Sequence, residues 1–174
     1  MTSEPETTSQ NSSETKSTRS KIIGRVLRRL AFIPLLVVGG LFLLSFTASK
    51  PYNLGTIKGR FAECPDSPNC VSSQAEDELH AMPPIPYEGS IASVLKRIKS
   101  TIAAEFSNAK LASENIEYLH FEFTSTIFRF VDDVEFVVDT ENSVVHFRSA
   151  SRVGHSDLGV NRKRMNKIIE GMKK

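Results

Sequence analysis

Five basic side chains fall in one short stretch near the C-terminus, RSASRVGHSDLGVNRKR, which carries Arg148, Arg152, Arg162, Lys163 and Arg164. Guanidinium forks match carboxylate and phosphate geometry, so Arg148, Arg152 and Arg162 are candidate binding residues for an anionic ligand. His155, Ser156 and Asp157 have the side-chain types of a hydrolase triad. Consecutive residues project in different directions, however, and cannot form that relay by themselves. A hydrolase-like enzyme with His155 and Asp157 near its active site is therefore the alternative to a non-catalytic binding module. Asp132 and Asp133 are paired carboxylates, but adjacent strand positions point to opposite faces. No G-x-S-x-G, H-E-x-x-H, P-loop or dinucleotide glycine pattern occurs, and no cofactor is expected.

Both cysteines lie in CPDSPNCVSS, Cys64 to Ser73. Pro65 and the run Asp66-Ser67-Pro68-Asn69 are turn formers that bring Cys64 and Cys70 within bridging distance, so a disulfide is expected. C-x-x-C spacing is absent and only His80 is near, which argues against a metal site or a redox pair.

The elements that must position these groups follow from periodicity. Pro83, Pro84 and Pro86 make residues 81–87 extended. Ser90 caps a helix whose apolar residues Ile91, Val94, Leu95, Ile98, Ile102 and Phe106 keep helical spacing. From Lys110 the period changes to two. Residues 110–113 form a weak strand, and Leu119, Phe121 and Phe123 alternate with His120, Glu122 and Thr124, which places His120 on a solvated face. Ile127–Val131 and Val134–Asp139 read as one bent strand or two short ones, and residues 144–150 return. With Glu141-Asn142 as the turn, Val138 faces Val145, Phe136 faces Phe147, and Glu135 faces Arg148. One face is then core, while the other sets Glu135 and the Asp132-Asp133 step close to Arg148 and Arg152. A last helix runs from Leu158 or Gly159 to Met172, with Ser156 or Asp157 as its N-cap. On this reading the Arg148–Arg164 stretch is a charge-balanced corner joining the last strand to the last helix. Any binding role falls to arginines the acids leave unpaired.

Three motifs in order, CPDSPNCVSS, FRFVDDVEF and RSASRVGHSDLGVNRKR, resemble the bacterial and plastid family of domains of unknown function numbered 1499. The resemblance covers Phe61 to Lys174. It implies no established activity and carries over no catalytic residue. It also implies, for some members, a membrane-spanning or secretory N-terminus.

Ahead of that domain the composition shifts. Residues 1–20 are Ser/Thr/Glu-rich and read as a disordered cytoplasmic tail. Residues 21–49 hold a basic flank, Lys21, Arg25, Arg28 and Arg29, followed by the uncharged run Leu30–Phe46, which is expected to be a transmembrane signal-anchor helix. Cleavage near Thr47-Ala48-Ser49 is the alternative. The positive-inside rule then places the N-terminus in the cytoplasm and the C-terminal domain in the periplasm, on the inner membrane of the cell envelope. Residues 50–60 read as a linker and residues 61–174 as the periplasmic domain. Seven Lys/Arg against three Glu in residues 1–50 leave fifteen against seventeen in the remainder, too acidic for a nucleic-acid binder. The expected architecture is α+β, an antiparallel sheet of about four strands packed with two helices and preceded by one transmembrane helix. Its expected partners are the membrane through Leu30–Phe46, and an anionic ligand, lipid headgroup or envelope protein through the arginines.

Overall fold

The computed structural model describes residues 32–45 and 48–173. A first helix, α1, is described over residues 32–45. The remaining elements lie in one compact unit, Leu44–Lys174. In order they are β1 (Cys70–Ser72), β2 (Ile85–Pro86), α2 (Ile91–Glu105), β3 (Ala109–Glu114), β4 (Tyr118–Thr124), β5 (Val131–Asp139), β6 (Val144–Ser151) and α3 (Val160–Met172).

The expected architecture needs correcting in strands, helices and topology. The sheet has six strands rather than about four, in the order β1-β6-β5-β4-β3, with β2 also paired to β6. Strands β1 and β2 have three and two residues, too few for a period-two pattern to register. Pro86 is tolerated in β2 because that strand sits at the sheet edge, where a missing N–H is harmless. Among the described residues there are three helices rather than two and a membrane span. Among the described residues no helix is long and apolar enough to cross a membrane. Fourteen described residues of α1, 32–45, rise only about 21 Å at ~1.5 Å per residue, against ~30 Å of hydrocarbon. The anchor at Leu30–Phe46 and the inner-membrane topology built on it lose their basis. The polar tail and the basic flank fall outside the described residues.

Helix α2 starts where Ser90 accepts a hydrogen bond from Ser93 N, as its cap chemistry dictates. Helix α3 begins at Val160 because Leu158 and Gly159 are both left-handed, with φ of 57° and 76°. Asp157 still satisfies the helix start, accepting from the amides of Gly159 and Asn161. The β5–β6 hairpin has the register its pattern requires: Val138 opposite Val145, Phe136 opposite Phe147, Glu135 opposite Arg148. Residues 127–130 are not strand; Ser125 N donates to Phe130 O and closes a loop there, and β5 runs unbroken through Asp132-Asp133.

Alternation sends Leu119, Phe121, Phe123, Val134, Phe136, Val138, Val145 and Phe147 to one face. There they form a single core with Val94, Leu95, Ile98 and Ile102 of α2 and Met165, Ile168 and Met172 of α3. Helices α2 and α3 therefore cover this face. What lies on the other decides the function.

Candidate functional site

The second face collects Tyr118, His120 and Glu122 from β4, Asp133 and Glu135 from β5, and Arg148 from β6, with Arg152 just beyond that strand's end. It is not a solvated face. His120 and Asp133 are 1% exposed, Glu135 is 0% and Arg148 6%. His120, expected in water, is buried with Asp133, its Nε2 lying 2.8 Å from Asp133 Oδ1. The stretch expected as a linker, residues 50–60, reaches this face at Gly55, whose N–H donates to Glu135 Oε1 at 2.6 Å.

Charge is organised here in two groups. In the first, Arg152 donates from Nε to Asp133 Oδ2 at 2.8 Å, from Nη2 to Asp133 Oδ1 at 2.8 Å, and from Nη2 to Glu122. These bonds to Asp133 and Glu122 outweigh partial burial and push the Arg152 guanidinium upward from its ordinary value. Burial would raise the Asp133 carboxyl, yet the hydrogen bonds and charges of Arg152 and His120 win and hold it below its usual range. At its Asp133 carboxylate this group is fully engaged.

The second group is not. Glu135 Oε1 accepts from Tyr118 Oη at 2.7 Å and from Gly55 N, while Oε2 has no hydrogen-bond partner among the described residues. Burial and the Glu135 carboxylate push the Tyr118 phenol well up, so it stays a donor. Arg148 Nη1 lies 3.6 Å from Glu135 Oε2, an ion pair too long for a hydrogen bond, and Arg148 Nε is also without a partner. Burial lowers the Arg148 guanidinium from its ordinary value, with Glu135 opposing it. Two buried polar atoms of one ion pair, Glu135 Oε2 and Arg148 Nε, are thus left without a hydrogen bond. Each such group costs about 1–3 kcal/mol, so native proteins rarely keep one without use.

A cavity of about 640 Å³ is bounded by Arg60–Cys64, Asp66, Ser72, Gln74–Asp77, Leu79 and His80. Ser72 is the cross-strand neighbour of Arg148, so the cavity wall and the orphaned arginine share one face of the sheet. The Cys64–Cys70 disulfide, formed as expected, holds one side of that wall, with Cα atoms 5.7 Å apart. On another side His80 Nδ1 lies 2.7 Å from Asp77, and that bond holds the Asp77 carboxyl below its usual range. No group of metal-ligating side chains occurs among the described residues.

The other candidate residues of the corner are placed separately. Arg162 donates to the carbonyls of Ala81 and Leu79, clamping α3 to the loop before β2. His155 is exposed on the turn before α3, and Asp157 is committed to helix amides and to Asn161 Nδ2. On the helix side, Ser149 and Asn161 bind each other at 2.6 Å, and Arg164 joins them to Asp132 while lying 4.6 Å over the Phe123 ring. The charge-balanced corner is therefore real, with Asp133 and Asp132 serving Arg152 and Arg164. Sequence reasoning missed Tyr118, His120, Asn161 and Arg164. For Tyr118 and His120 a signal existed, since the alternation in YLHFEFT puts them on the face of Glu122; the β4–β5 register that brings them to Glu135 and Asp133 did not show.

A one-sided α+β sheet with a charged, covered second face and an adjoining cavity is the class that fold and site define. The chain belongs to the family described as protein of unknown function DUF1499, whose model matches residues 60–172. No curated protein and no solved structure matches it.

Proposed function

We propose that this domain is a non-catalytic ligand-binding module whose site is the cavity beside Ser72 together with the Glu135–Arg148 pair. The observation that carries this reading is the orphaned state of Arg148 Nε and Glu135 Oε2 on a face where Arg152 is committed to Asp133 and Glu122. A volume of about 640 Å³ suits a small molecule or a short segment of one. Of the arginines weighed from the sequence, Arg148 is the binding residue, whereas Arg152 and Arg162 brace the structure.

Ligand-observed NMR of a fragment library against the full chain, repeated with Arg148→Gln, tests this. Binders are expected whose signals weaken about tenfold or more in the variant, the loss of one charge-assisted hydrogen bond. A library in which no binder distinguishes the folded variant from the native chain overturns the reading.

A further inference from the structure

Between α2, α3 and β2 lies a smaller opening of about 90 Å³, which shares no lining residue with the cavity at Ser72. We propose that it is a binding slot for a short aliphatic carboxylate, whose chain enters the core while the carboxylate stays at the mouth with Arg97 and Lys173. Three observations point there.

First, the slot runs from solvent into the core. Ile85 of β2, Val94 of α2 and Met172 of α3 line it and are buried members of that core, and the half-buried Ile169 packs against them. Arg97, Lys173 and Glu88 also line it and are exposed, which puts them at its mouth. Apolar walls around empty space forfeit dispersion contacts, and an aliphatic group restores them. Met172 suits the task, because its unbranched thioether adapts to an irregular occupant. Second, the size selects the group. About 90 Å³ is well below the ~150 Å³ of an apolar cavity that takes benzene, so a chain of a few carbons fits and a ring does not. Third, the mouth is cationic on an acidic domain. Residues 51–174 hold fifteen Lys/Arg against seventeen Asp/Glu, yet Arg97 and Lys173 face only Glu88 among the charged lining residues. Two other lysines of the helix layer are spent, Lys99 on Glu114 at 2.7 Å and Lys167 on Glu105 at 3.2 Å. The Arg97 and Lys173 side chains have no partner among the described residues. A carboxylate satisfies both, and the guanidinium fork matches its two oxygens.

The test is a titration of the full chain with butyrate, N-acetylleucine and butylammonium, read by NMR at the methyl groups of Met172 and Ile169. Expected are saturable shifts with one or both carboxylates and none with butylammonium. Butyrate marks a free short-chain acid as the source, and N-acetylleucine the C-terminal residue of a peptide. Arg97 is exposed, so Arg97→Gln should fold as the native chain does, with carboxylate affinity down about tenfold. If it does not fold, Lys173→Gln takes its place under the same expectation. Methyl groups that show no saturable shift with either carboxylate overturn the proposal. So does butylammonium binding as tightly as butyrate, or a carboxylate affinity unchanged in the folded variant.

Discussion

Arg152 and Arg148 sit four residues apart on one sheet face and do opposite things. Arg152 binds two carboxylates from two strands and is 8% exposed in its side chain. Removing it strands Asp133 in a dry site, so Arg152→Ala should cost about 3–5 kcal/mol, and Arg152→Lys should recover only part because an ammonium lacks the fork. Urea denaturation checks this, a lower midpoint at unchanged slope being the expected signature. The same pair makes stability depend on pH. Asp133 is depressed below its ordinary 3.8 in the folded state, so its contribution is fully present above the unfolded value and is lost as pH falls through the folded one. Stability should therefore decline below about pH 4, and the decline should be shallower in Arg152→Gln. A native chain with flat stability through that range would contradict the assignment. At this scale the hairpin pattern was enough to pair Glu135 with Arg148, because side-chain alternation and the turn leave one register in which charges avoid the core.

Element boundaries were legible where periodicity was long. Helix α2 and strands β4 to β6 carry enough alternating or helical repeats to declare themselves, and Ser90 declares the start of α2. What escaped was short or covered. Strands β1 and β2 are edge additions specified by their pairing with β6 rather than by their own residues. The second face read as solvated because Tyr118, His120, Glu122, Asp133 and Glu135 are polar, and nothing local says that Gly55 returns to bond Glu135. The close approach of α2 to α3 was equally hidden. A Cβ at Gly171 would lie 2.6 Å from Thr101 Cγ2, so Gly171→Ala should destabilise by about 1–3 kcal/mol through overpacking. Thr101→Ser, which removes that methyl, should restore most of it. Calorimetry on the two single variants and the double gives the coupling; additive losses would show that the helices do not meet there.

For the molecule as a whole, a one-sided core leaves the sheet's far face to be finished by chain outside the regular elements. The Gly55 strap does this at Glu135, while the disulfide loop, Ser72 and the 74–80 loop bound the cavity. Closing a loop of sequence separation 6, the disulfide should contribute about 2 kcal/mol, seen as a lower urea midpoint after reduction. No loss on reduction would mean the loop is held by its other contacts, such as Asn161 Nδ2 donating to Asn69 O. The central claim is that Arg148 keeps its Nε–H free where Arg152 commits its own to Asp133. Scalar coupling across hydrogen bonds, measured on the arginine Nε–Hε groups of the ligand-free full chain, tests it most directly. Arg152 Hε should couple to the Asp133 carboxylate, its acceptor at 2.8 Å, and Arg148 Hε should show no coupling to any protein acceptor. Coupling of Arg148 Hε to Glu135 or to a backbone carbonyl would contradict the account.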